Sequence, residues 1–228
     1  ILSSHGSFKI RDCHFYDNYF NGANCFEAYT SQIYIKKSLF NDNIVATPLS
    51  NLFYSINSII ELNNATFTQI SSTSSPLFKF EYRTYLTMVN VAFFQNIASE
   101  IINCDGVCNS VMNYVNFHQN TGTIFKATSN CPILVLKWCQ IEDNYANNDN
   151  PLFDLKNGRL FFIKPCRIIK NHAYCFVDFH DTYSQFSISN SIIERNNLNS
   201  HFAYISHLTT VKIFGVIFLH NIMPNGIF

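Results

Sequence analysis

The chain repeats one arrangement of apolar and polar positions nine times. An apolar anchor followed three positions later by Asn occurs at Phe15 and Asn18, Phe40 and Asn43, Phe93 and Asn96, and Phe117 and Asn120. It continues at Ile141 and Asn144, Ile168 and Asn171, Ile193 and Asn196, and Phe218 and Asn221. One further copy, at Phe67, carries Ile70 where Asn is expected. Successive anchors stand 25, 27, 26, 24, 24, 27, 25 and 25 residues apart. Such a register identifies one solenoid rather than two globular domains, and a single repeat domain is expected over residues 1–228.

The pattern inside each copy sets the strands. Seven and five residues before the anchor sits an apolar pair, from Phe8 and Ile10 to Val211 and Ile213, with Ser110 and Met112 as the one variant. Two residues before the anchor comes a small residue: Cys13, Ser38, Ala65, Val91, Val115, Cys139, Cys166, Ser191 or Val216. Apolar residues two apart describe a strand with one buried face, and the change of parity between the pairs requires a tight bend. Bend formers such as Asn63-Asn64, Lys164-Pro165 and Phe214-Gly215 stand there. A third strand follows after a loop of varying length, as at Leu77-Phe78-Lys79-Phe80 and Phe202-Ala203-Tyr204-Ile205.

The fold class expected is all-β, a right-handed parallel β-helix of nine coils with three short strands per coil. At about 4.8 Å per coil the rod is roughly 43 Å long. The recurring residues Asn18, Asn43, Asn96, Asn120, Asn144, Asn171, Asn196 and Asn221 are expected to occupy a left-handed corner and to bond their amides from coil to coil. A leucine-rich repeat shares part of this pattern, but it wants an apolar residue two beyond the Asn and then a helix. Those positions hold Phe20, Val45, Ala98, Gly122, Ala146, Ala173 and Leu198, which is not consistently apolar and large.

Composition narrows the partners. Lys and Arg number 15 against 15 Asp and Glu, so the formal net charge is zero. A nucleic-acid or anionic-membrane partner needs a basic surplus and is not expected. Apolar residues reach 47% and aromatic ones 16%, with 23 Phe and 29 Asn, so the chain can bury a large core. No window approaches the length of an uncharged membrane span. The chain starts at Ile1 and stops within its own pattern, which reads as a segment of a longer protein. Membrane contact is therefore expected only through regions outside this segment.

Serial Phe-x-x-Asn on a parallel β-helix resembles the polymorphic outer-membrane-protein repeats of the pectin-lyase-like superfamily. The resemblance covers essentially the whole chain. The Gly-Gly-Ala-Ile-like tetrapeptide of that family survives here as Thr121-Gly122-Thr123-Ile124, Asn21-Gly22-Ala23 and Asn225-Gly226-Ile227. The resemblance implies a surface-displayed, non-catalytic, adhesin-like region.

Chemistry is sparse along the chain. The outward position before the ladder Asn runs Asp17, Asp42, Gln69, Gln95, Gln119, Asp143, Lys170, Arg195 and His220. Asp17 stacks on Asp42 with no third carboxylate beside them, the Gln residues are placed to form a second amide ladder, and Asp143 is placed to pair with Lys170. The Asn-Thr-Asp, Asp-Asp and His-Gly set of galacturonan hydrolases is missing apart from His5-Gly6. No catalytic, cofactor-binding or metal-ligating set is expected, because the eight His show no ligand spacing and no phosphate loop is present.

Eight Cys are present, and Cys13, Cys139 and Cys166 fall at the small inward position as compact hydrophobes. The disulfide expected is Cys108 with Cys131, on adjacent coils. The one glycosylation sequon is Asn64-Ala65-Thr66, with Asn64 in a solvent-facing bend. Six residues before the anchor the side chain faces outward, giving Lys9, Tyr34, Glu61, Thr87, Val111, Val135, Phe162, Ser187 and Lys212. Val111, Val135 and Phe162 make an apolar stripe on three successive coils, either covered by flanking sequence or docking a partner. The expected function is a structural or adhesive rod at the cell surface or outside the cell, presenting a face to protein or glycan. A carbohydrate-active β-helix and an intracellular scaffold are the alternatives.

Overall fold

The computed structural model describes residues 1–72, 74–128, 131–147, 149–155, 158–179, 185–205 and 210–228, with the backbone alone taken for 131–132 and 158–160. The chain is a parallel β-helix, and no helix occurs among the described residues. Three parallel sheets run along it. Sheet I stacks nine strands from Leu2–Ser4 to Ala203–Ile205, sheet II nine from Ser7–Arg11 to Thr210–Phe214, and sheet III nine from His14–Tyr16 to Ile217–Leu219. Each coil contributes one strand to each sheet in that order. Every strand pairs only with its equivalents one coil before and one coil after.

The expected inward positions form the core. The sheet II pairs, for instance Ile33 and Ile35, Leu86 and Met88, and Phe161 and Ile163, are buried. The anchors stack: Phe15 on Phe40 at 4.8 Å, Phe40 on Phe67 at 4.7 Å, Phe67 on Phe93 and Phe93 on Phe117 both at 5.0 Å between ring centroids. A second column from sheet I, Phe26, Phe53 and Phe78, stacks at 4.6 and 4.7 Å. The two columns meet edge to face, as where Phe67 meets Phe78 at 5.1 Å and 85°. Such pairs contribute about 1 kcal/mol each beyond their buried area.

The Asn ladder forms, and its mechanics differ from expectation. Asn96 Nδ2 donates to Asn120 Oδ1 at 2.9 Å, and the same bond links Asn120 to Asn144, Asn144 to Asn171, Asn171 to Asn196 and Asn196 to Asn221 at 2.9 to 3.0 Å. Asn18 donates likewise to Asn43 at 2.8 Å. Each Nδ2 from Asn43 onward also donates to the carbonyl of the preceding coil's anchor, Asn120 to Phe93 O and Asn144 to Phe117 O among them. Ile70 interrupts the side-chain ladder, yet its backbone N–H still donates to Asn96 Oδ1 at 3.0 Å. The left-handed residue is the one before the Asn in every coil, from Asp17 at φ 55° through Lys170 at 54° to His220 at 51°. The Asn itself is turned inward, where its amide replaces the backbone bonds that the corner cannot make.

Two further corners use the same device. His5, Thr30, Asn57 and Tyr82 are left-handed between sheets I and II. Asp12, Lys37, Asn64, Asn90, Tyr114, Trp138, Asn190 and Gly215 are left-handed between sheets II and III, with φ of 48° to 62°. Pro165 holds this place in the seventh coil and is the exception, because its ring fixes φ near −65°.

A fourth, two-residue ladder follows the Asn, as Tyr19–Phe20 on Ile44–Val45 and His172–Ala173 on Asn197–Leu198. It was not expected from the pattern. The second residue of each pair turns inward, so the small side chains Ala98, Ala146 and Ala173 are core residues. At Gly122, φ 119°, a Cβ would lie 2.0 Å from the Ala98 carbonyl oxygen, which excludes every other residue.

Position along the ladder sets its energetic weight. Asn120→Ala orphans buried partners on both sides and is expected to cost about 3 kcal/mol, whereas Asn18→Ala, at the half-buried end, costs about 1 kcal/mol. Denaturant midpoints of the two variants check this ordering.

Candidate contact surface

The outward column of sheet II is in register along the whole rod. Lys9 pairs with Tyr34, Tyr34 with Glu61, Glu61 with Thr87, Thr87 with Val111, Val111 with Val135, Val135 with Phe162, Phe162 with Ser187 and Ser187 with Lys212. The Lys9 ammonium lies 5.6 Å from the Tyr34 ring centroid. Val111, Val135 and Phe162 are brought together as expected, half-buried, in the middle of an otherwise polar column. Two residues further along each strand, Lys137 and Lys164 pair in the next outward column.

The adjoining bend extends this surface. Tyr114 and Trp138 occupy left-handed corners on neighbouring coils, 57% and 56% exposed, with rings 6.2 Å apart and 9° from parallel. Beyond Trp138, Pro165 breaks the column of corner side chains. A notch of ≈ 350 Å³ opens there, and Trp138, Pro165, Arg167, Asn190, Cys139 and Cys166 are among its lining residues. Lys137, Lys164 and Arg167 have no ion-pair partner among the described residues.

The thiols do more than fill space. Cys13 Sγ donates to Arg11 O at 3.2 Å, Cys139 Sγ to Lys137 O at 3.3 Å and Cys166 Sγ to Lys164 O at 2.7 Å, just as Ser38 and Ser191 donate to Lys36 O and Ser189 O. Where the small inward position holds Ser or Cys it closes the bend with a donor, and the two are equivalent there. The Cys166 thiol is pushed up by its hydrogen bond to Cys139 and by burial. Burial pushes Cys25 up to about 12 and raises Cys175 as well.

The sequence pairs Cys108 with Cys131. In the structure Cys108 is joined to Cys104 across the turn at Gly106, Cα to Cα 6.0 Å. The side chain of Cys131 lies outside the described residues. Asn64 of the sequon is exposed at its bend, φ 51°, with Nδ2 donating to Asn63 Oδ1 at 2.8 Å. On the corner before the ladder, Gln95 donates to Gln119 at 3.2 Å and Gln119 to Asp143 at 3.1 Å, so the second amide ladder forms over these coils.

Sequence reasoning missed a carboxylate pair. Asp154 and Asp178 are register partners on sheet I, next to Lys126, which is bonded to Glu100 at 3.0 Å. Their positions follow the variable loop, so spacing from the anchor did not align them. Among the described residues no group of three or more His, Cys, Asp or Glu is arranged to hold a metal ion.

Thiol reactivity follows burial. In the folded protein Cys13, half-exposed, reacts quickly with an aromatic disulfide reagent, and Cys13→Ser removes that phase. Cys25 stays protonated and unreactive up to about pH 10, because its thiolate forms only near its raised pKa of about 12. Loss of the fast phase in Cys25→Ser instead would contradict this order.

No family model, no curated protein and no solved structure matches this chain, so its fold and outward columns carry the functional reading.

Proposed function

We propose that this chain is a non-catalytic rod of a cell-surface or secreted protein, which presents one face for protein or glycan contact. The supporting observation is the sheet II column. Eight register steps stack nine outward residues, of which only Val111, Val135 and Phe162, the fifth to seventh, are aliphatic or Phe, and the exposed Tyr114 and Trp138 stand on the same coils as Val111 and Val135. Outward apolar residues concentrated on adjacent coils serve contact rather than solubility. The Phe-x-x-Asn repeat supports kinship with pectin-lyase-like β-helices, near the polymorphic outer-membrane-protein repeats. An exposed sequon at Asn64 and the Cys104–Cys108 bridge are consistent with an oxidising, extracellular compartment.

Location is checked by the intact mass of natively sourced protein, alkylated without reduction, before and after deglycosylation. The expected result is a glycan on Asn64 and at most six alkylated thiols, since two of the eight are bridged. Eight alkylated thiols with a bare Asn64 would move the rod inside the cell. The contact face is checked by sedimentation of Phe162→Ser, which is expected to lower association or raise solubility with no change in the unfolding midpoint. Unchanged association and solubility would remove the stripe from the proposal.

A further inference from the structure

We infer that the notch at Pro165 is a binding site for one terminal sugar that carries a carboxylate. This deepens the contact-surface reading and rests on it. Four observations point to that chemistry.

The first is conformational. A bulky aromatic residue in the left-handed region is costly, by about 1 kcal/mol, and Asn, Asp or Gly fills this corner in the first, third, fourth, eighth and ninth coils. Tyr114 and Trp138 nonetheless occupy it side by side, with their rings parallel and more than half exposed. Strain that persists at exposed aromatic rings is an indication of use. Trp138, backed by the stacked ring of Tyr114, offers one stiff ring face suited to the C–H face of a pyranose ring.

The second is charge. Arg167 lines the notch, Lys137 and Lys164 flank it on the preceding outward column, and none of the three has an ion-pair partner among the described residues. A guanidinium of this kind accepts a carboxylate in a bidentate fork. The amide of Asn190 stands opposite, at the next coil's corner, as a donor and acceptor for hydroxyls.

The third is size. A notch of ≈ 350 Å³, set where the Pro165 ring replaces the projecting corner side chain of the other coils, has room for a single sugar ring. The fourth weighs against a peptide that binds by strand addition. The backbone N–H groups of Gln140, Arg167 and Ile192 are committed to the carbonyls of Val115, Cys139 and Cys166 one coil away. A peptide strand adding there would find these three donors already taken. A sugar needs only side chains, and those are what the notch supplies.

Trp138 is the only tryptophan of the chain, so its emission reports this site alone. The probes are sialyllactose, methyl glucuronide and, as the uncharged control, lactose. One or both acids are expected to change Trp138 emission saturably while lactose does not. A response to both identifies the shared carboxylate as the determinant, and a response to one identifies the source. Arg167→Gln is expected to weaken binding about tenfold or more. Pro165→Asn restores the side chain that other coils place in the corner and should abolish binding with the unfolding midpoint unchanged. Silence with both acids, an equal response to lactose, or undiminished binding by Pro165→Asn would overturn the site. If the acids fail while Phe162→Ser still changes association, the sugar site alone falls. If both fail, the contact surface falls with it.

Discussion

Parallel register between coils is the constraint on which everything else in this protein depends. Each side chain lies directly against its equivalent one coil away, so a residue type is admissible only where it tolerates its own kind. Phe meets this condition by offset stacking, and two Phe columns meeting edge to face fill the first half of the rod. Ile takes over at Ile141, Ile168 and Ile193 without a change of backbone, because those anchors remain in the same register. Like charges do meet, as Lys137 on Lys164 and Asp154 on Asp178, while the sheet II column places Tyr34 between Lys9 and Glu61.

Asn meets the condition by hydrogen bonding. Its amide is both donor and acceptor, so a column of identical residues satisfies itself and still reaches the anchor carbonyl of the preceding coil. This allows the chain to turn through a left-handed residue in every coil without leaving buried polar groups unpaired. The turning residue itself is variable, since Asp, Gln, Lys, Arg and His all serve at an exposed site whose conformation is imposed by its neighbours. Burial and hydrogen bonding therefore select the Asn, while the strained position beside it is left free for surface chemistry.

That freedom explains where a contact surface can arise. Corner and outward positions, like the variable loops, are places where a coil differs from its neighbours without disturbing the core. Val111, Val135 and Phe162 depart from the polar column there, Tyr114 and Trp138 depart from the small corner residues, and Pro165 departs from the left-handed bend altogether. The three departures lie on neighbouring coils. A regular core thus carries a local, irregular face.

Legibility followed the same division. The anchors, the sheet II pairs, the Asn column and the outward column were readable from sequence, because periods of 2 and about 25 residues count positions that never slip against one another. The notch was partly readable: aligning the position three before each anchor shows Pro165 alone among residues that tolerate or adopt a positive φ. The left-handed residue beside each Asn left no compositional trace, since its side chain is in solvent. The pairing of Asp154 with Asp178 and the joining of Cys104 to Cys108 were decided only in three dimensions. Those residues lie beyond loops of variable length, or across a turn, where counting from the anchor loses register. Sequence alone determined what stacks on itself at fixed spacing, and tertiary structure decided everything that depends on where a variable loop returns to the coil.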